Sequence, residues 1–172
     1  DEVRTAAITG LLCMTMAAML ADLKTGKIPN GLIVAGVAMG VSYQVLSEGV
    51  AGVLVFAGGL LLPLLLMGGL FYFRMAGAGD IKLLCVTGGF LGPADGFRTL
   101  IASILIAGVI SVWIMIRQRN FTGRMLYFVE YAQRRAAGAK WESYMAEVPE
   151  SAKFCFSVPV FLSVLGYIGG IF

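Results

Sequence analysis

Asp22 and Asp80 are the residues best suited to chemistry in this chain of 172 residues. Asp22 directly follows the apolar run 3–21, and Asp80 closes the string Met75-Ala76-Gly77-Ala78-Gly79-Asp80. Two apolar stretches lie between them, each long enough to cross a bilayer. The chain therefore goes out and comes back, and both carboxyls fall at the same membrane face. A carboxylate close to lipid is costly and is a functional candidate by default. Two that converge make an acid/base pair. Neighbouring carboxyls cannot both ionise cheaply, so one keeps its proton and the two titrate together. The ionised member activates water as general base, and the protonated member polarises a scissile carbonyl as general acid. Such hydrolysis calls for no metal, no cofactor and no covalent intermediate. The residues alone do not say which aspartate plays which part.

Histidine-dependent catalysis is excluded by composition. The chain has no histidine, which removes Ser-His-Asp and Cys-His catalysis and the HExxH metalloprotease arrangement. Cys13, Cys85 and Cys155 are scattered through apolar stretches with no Cys-x-x-Cys pair, so neither a zinc site nor a disulfide framework is indicated. They read as packing residues.

The elements that must position the aspartates are membrane helices. The chain is 59% hydrophobic and 13% charged, whereas soluble domains carry about 25% charged residues. With a crossing of about 20 apolar residues, candidate spans fall at 3–21, 28–46, 53–73, 81–91, 97–116 and 154–172. The first is longer than a usual signal-peptide core and follows no strongly basic segment, so it reads as a retained span. The span at 81–91 is short and stops near Gly92-Pro93; it is tilted, capped or embedded among its neighbours. The fold class is thus all-α, a single polytopic membrane domain over 1–172 with about six transmembrane helices.

Charge sets the expected orientation. With the N-terminus outside, the loops after the first, third and fifth spans and their flanks hold Lys24, Lys27, Arg74, Lys82, Arg117, Arg119, Arg124, Arg134, Arg135, Lys140 and Lys153. The outer segments hold Arg4 and Arg98. This split obeys the positive-inside rule and puts both aspartates at the cytoplasmic face. Residues 118–152 form the one sizeable polar stretch. Phe121, Met125, Leu126, Phe128, Val129 and Ala132 recur there at roughly helical spacing beside Arg124, Arg134 and Arg135. It reads as a basic amphipathic element on the inner membrane surface, with a plain solvated loop as the alternative. Nucleic acid is not an expected partner.

Locally, Asp22 opens the polar turn Asp22-Leu23-Lys24-Thr25-Gly26-Lys27-Ile28-Pro29-Asn30, with Pro29 in the first turn of the next helix. Asp80 stands at a helix N-terminus behind Gly77 and Gly79, which allow close backbone approach and angles that other residues avoid. Each aspartate also has a plainer reading: Asp22 paired with Lys24 or Lys27, Asp80 capping its helix. Lys82 is either an aid to substrate or lipid-headgroup binding or an ordinary cytoplasmic-face charge.

The two strings carry a resemblance. Asp22-Leu23-Lys24-Thr25-Gly26-Lys27-Ile28-Pro29-Asn30 resembles the first active-site segment of type IV prepilin peptidases, and Met75-Ala76-Gly77-Ala78-Gly79-Asp80-Ile81-Lys82-Leu83-Leu84 resembles their second, the GxGD segment. The stretch from Ser157 and Pro159 to Gly166 resembles their last helix. The resemblance implies that Asp22 and Asp80 are the catalytic dyad of an intramembrane aspartyl protease of the bacterial inner membrane, with its active site facing the cytoplasm. Its substrates would be prepilins and pseudopilins, cut just before their apolar stretch, and its surroundings membrane lipid. Larger members carry an N-terminal cytoplasmic domain, often with Cys-x-x-Cys. Without these the chain resembles the compact, peptidase-only form of Flp/Tad systems. A small proton- or cation-coupled transporter using the same aspartates as a relay is the alternative. A presenilin-type GxGD protease is a third reading; those proteins have more spans and a different first motif.

Overall fold

A computed structural model describes residues 2–72, 77–117 and 155–171, and every regular element among them is an α-helix. The helices are α1 (Glu2–Thr25), α2 (Asn30–Glu48), α3 (Ala51–Tyr72), α4 (Ala78–Arg117) and α5 (Ser157–Ile168). The amphipathic element expected over 118–152 lies outside the described residues, as do Met75 and Ala76. Four of these helices are long and apolar enough to cross a membrane; α5 is apolar but shorter.

The first helix runs past the apolar stretch that predicts it. It carries Asp22 into its last turn and stops at Gly26, whose φ of 63° is left-handed and whose amide bonds back to the Asp22 carbonyl at 2.8 Å. This is the glycine-terminated helix end, and Gly is the residue that adopts it without strain. Pro29 precedes α2 rather than lying inside it. Its extended backbone lets its carbonyl accept the first helical bonds, from Leu32 and Ile33.

The fourth and fifth predicted spans are parts of one element, α4, broken at Gly92 (φ 80°, ψ 173°), where the sequence places its Gly-Pro stop. The break is a reversal. A Cβ added to Gly96 would lie 2.8 Å from the Gly88 Cα, whereas residues eight apart in a straight helix are separated by about 12 Å. Two arms result, 78–91 and 93–117. The first is about 20 Å long at helical rise, short for a hydrocarbon core of about 30 Å. It is also the most enclosed segment described: from Ile81 to Phe90 every residue but Lys82 is buried. A helix apolar on all sides belongs at the centre of its neighbours. Leu83, Leu84, Val86 and Phe90 meet Leu11, Met14 and Ala18 of α1, Ile33 of α2, and Val160 and Val164 of α5 in one core. The outward faces expose Leu54, Leu61, Leu65, Leu105, Val109 and Ile116, as a bundle solvated by lipid requires.

Breaking a helix orphans its last carbonyls. The side chain of Gln44, buried near the end of α2, answers this: its amide donates to the carbonyls of Phe90 (2.9 Å) and Gly89 (3.3 Å). Leucine at position 44 keeps the bulk and removes the donor. Because a buried acceptor left without a partner costs about 1–3 kcal/mol, Gln44→Leu should lower thermal stability in detergent measurably. An unchanged melting temperature would show that the carbonyls have another partner.

Polar side chains tie the bundle together elsewhere. Ser103 in the second arm and Ser163 in α5 share a buried hydrogen bond of 2.7 Å. At the Gly92 end, Tyr167 donates to Asp95 (2.8 Å), which also pairs with Arg98 (3.1 Å).

Candidate functional site

Asp22 is buried because of its register. Leu11, Thr15, Ala18 and Asp22 follow one another at steps of three or four residues, and all are buried. Residues so spaced share one helix face, so the stripe that packs α1 into the core ends in a carboxylate. Its exposure is only 8%. A buried carboxylate calls for a donor, and α5 supplies one: Ser157 Oγ donates to Asp22 Oδ2 at 2.6 Å, with Ser157 itself fully enclosed. Cys155 Sγ lies 3.9 Å from the Asp22 carbonyl oxygen.

Asp80 is half-buried in the first turn of α4. Its carboxylate turns back and accepts a hydrogen bond from the backbone amide of Gly77, the residue just before the helix. An acid at the third helical position reaching back in this way is one half of a capping box. The plainer reading of Asp80 is thus part of the structure, and it coexists with a second relation: Asp80 feels the charge of Asp22. The two bilayer-length stretches do bring the carboxyls to one end of the bundle. Cys155 is within electrostatic range of both.

The glycines act differently from the sequence expectation. Neither Gly77 nor Gly79 has a positive φ; among the described residues that conformation occurs at Gly26, Gly49, Gly92 and Gly170. The value of Gly77 is spatial, since a Cβ there would stand 2.9 Å from Asp80 Oδ2, in the path of the carboxylate as it folds back. At Gly79 a Cβ would meet Ile28 at 3.5 Å, an ordinary contact, so space does not demand glycine there.

Lys82 points outward and donates to Asn30 Oδ1 at 3.0 Å. The lysine after the second aspartate therefore touches the asparagine that ends the first string, and the two strings meet in space at this bond. No described anionic partner neutralises Lys24 or Lys27: the one ion pair among the described residues is Arg98–Asp95, so the pairing of Asp22 with those lysines is not formed.

Ser157 is the contact that sequence reasoning missed. A serine one residue before Val-Pro carries no chemical signature, and the bond joins residues 135 positions apart. One available signal is spacing: Ser157, Val160 and Val164 form a buried stripe on α5. A cleft of about 300 Å³ lined by Arg4, Gln44, Glu48, Asp95 and Tyr167 opens at the Gly92 end and contains neither Asp22 nor Asp80.

Among the described residues the fold is an all-helical bundle with apolar outer faces, the architecture of a membrane protein, with two carboxyls gathered at one end. A family model described as the type IV leader peptidase family matches residues 9–112, more than half of the chain, and the chain belongs to that family. It is accordingly a peptidase. The matched stretch includes both aspartates, Gly77, Gly79 and Lys82; α5 lies beyond it. Neither a curated protein nor a solved structure matches the chain.

Proposed function

We propose that this peptidase is an intramembrane aspartyl endopeptidase that removes the leader of type IV prepilins, with Asp22 and Asp80 as its catalytic pair. The observation that carries the reading is the convergence of the two carboxyls at one end of the bundle, one on the buried stripe of α1 and one in the first turn of α4, with Asp80 within range of the Asp22 charge. One carboxylate takes a proton from water as the water oxygen attacks the scissile carbonyl carbon. The other carboxyl, protonated, donates to the carbonyl oxygen. Transfer of a proton to the amide nitrogen then breaks the carbon–nitrogen bond and releases an acid and an amine. A pair of this kind turns over with nothing but water consumed.

The membrane setting follows the same reading. On this reading the two arms of α4 and the other four helices would make six crossings, with the N-terminus outside. The end bearing Asp22 and Asp80 also carries Lys24, Lys27, Lys82 and Arg117, the charge expected at a cytoplasmic face. Arg117 there stacks over Trp113, its guanidinium 5.3 Å from the ring centroid, a pairing suited to the headgroup level. The enzyme would work in a bacterial inner membrane and meet prepilins on the cytoplasmic side. Flp-type prepilins are the proposed substrates, on the resemblance of the strings around Asp22 and Asp80 to the compact members of the family. The decisive test is cleavage of a pilin precursor by the purified chain in detergent or proteoliposomes, mapped to the bond before the apolar stretch. A wild-type chain that leaves every such precursor intact would end the proposal.

The bond to Asn30 supports a scaffold role for Lys82. An exposed hydrogen bond of this type is worth about 1 kcal/mol, so Lys82→Met should slow cleavage by less than about tenfold. It should do so equally for a soluble peptide and a membrane-embedded precursor. A loss confined to the embedded precursor would instead make Lys82 a headgroup contact.

A further inference from the structure

We infer that Ser157 is a positioning residue for the proposed reaction, and that the active site is built from three helices rather than two. The inference rests on the peptidase reading above and extends it to α5, which lies outside the stretch matched by the family model. The geometry is specific. Ser157 Oγ is 2.6 Å from Asp22 Oδ2, within the short range typical of a hydroxyl donating to a carboxylate. Both groups are buried, so water does not replace the bond when it is lost. Ser157 is held in turn by its element: it is the first residue of α5, and Pro159, Val160 and Val164 behind it are buried.

The consequence is orientation. An aspartate side chain at a helix end turns about two bonds, and a carboxylate serves as acid or base only when one oxygen faces the reacting group. Ser157 fixes Oδ2 on the α5 side and thereby sets the plane in which the other oxygen must work. Asp80 has its own anchor in the Gly77 amide. Each carboxyl of the pair is thus held by one donor from outside the pair, a hydroxyl for Asp22 and a backbone N–H for Asp80. Peptide substrate need not touch Ser157 for its loss to be felt; the effect passes through Asp22.

The test is steady-state cleavage of a prepilin peptide by the full chain in detergent, with melting temperatures measured alongside. Removing a hydrogen bond to a charged group in a preorganised site is expected to lower kcat roughly 10- to 100-fold in Ser157→Ala, with KM within about twofold of wild type. Ser157→Thr, which keeps the hydroxyl, should recover most of that rate. Ser163→Ala removes a buried serine of the same helix whose partner is Ser103, away from the pair, and should retain wild-type kcat whatever it does to the melting temperature. Wild-type kcat in a folded Ser157→Ala would overturn the role of Ser157 and leave the peptidase reading standing. So would a kcat loss in Ser163→Ala as large as that in Ser157→Ala. A wild-type chain with no cleavage, or an Asp22→Asn variant that cleaves normally, would remove the peptidase reading and this inference with it.

Discussion

Asp22→Asn and Asp80→Asn should each abolish precursor cleavage while leaving the helical bundle intact. Asparagine keeps the shape of aspartate and keeps a carbonyl oxygen, so it can still accept the bond from Ser157 at position 22 or from the Gly77 amide at position 80. What it lacks is a site that takes up and returns a proton. General acid or base assistance is typically worth 10²- to 10⁴-fold, and the proposed mechanism needs both at once. A loss of at least about 10³-fold in kcat is therefore expected from either change, with little effect on KM because neither substitution removes bulk from the site. Gel-based cleavage of a pilin precursor, with circular dichroism in the same detergent as the control for folding, reads both quantities. The double variant should be no slower than the worse single one, since two groups that act as a unit do not contribute additively. Substantial cleavage by either single variant would dissolve the pair.

Gly88→Val should cost the most stability of any single change considered. The first arm of α4 crosses α3 with its backbone nearly touching. A Cβ on Gly88 would run into the Gly59 carbonyl oxygen and come within 3.1 Å of the Pro63 ring, and a Cβ on Gly59 would run into the Gly88 carbonyl oxygen. These obstacles are backbone and a proline ring, which cannot rotate aside as a flexible side chain does. Overpacking typically costs about 1–3 kcal/mol and more where nothing yields; valine at a backbone crossing belongs at the upper end, about 3 kcal/mol or above. The function should fall with the fold, because the arm that would be displaced carries Asp80. Gly68→Ala is the matching control: it lies in the same α3, and a Cβ there meets nothing within 4 Å. It should leave both the melting temperature and cleavage close to wild type. A Gly88→Val protein that melts and cleaves normally would show that the helices do not cross this closely.

Much of this architecture is legible from local sequence. Runs of apolar residues give α1, α2 and α3, since helix formation in lipid depends on length and hydropathy rather than on partners. Gly26 and Gly92-Pro93 mark stops because their backbone preferences act on the residue itself. The two strings around Asp22 and Asp80 are readable for the same reason: each is contiguous. The last turn of α1 was harder to see. Polarity begins at Asp22, yet the helix continues to Thr25, since its backbone bonds persist until Gly26 turns the chain. The register of Asp22 with Leu11, Thr15 and Ala18 shows only in the fold, because α1 is apolar on every side and no polar face marks which stripe turns inward.

Sequence alone therefore determined that the chain is helical and apolar enough for a membrane, and it singled out two acidic residues in distinctive company. Only the tertiary structure decided what those acids meet. Ser157 reaches Asp22, Lys82 reaches Asn30 and Gln44 reaches Phe90 across 135, 52 and 46 residues of chain, and the arm bearing Asp80 became the enclosed centre of the bundle. The physical reason is range. Backbone conformation and transfer to lipid are set residue by residue, whereas a hydrogen bond between helices depends on how all of them pack, and no local pattern records that.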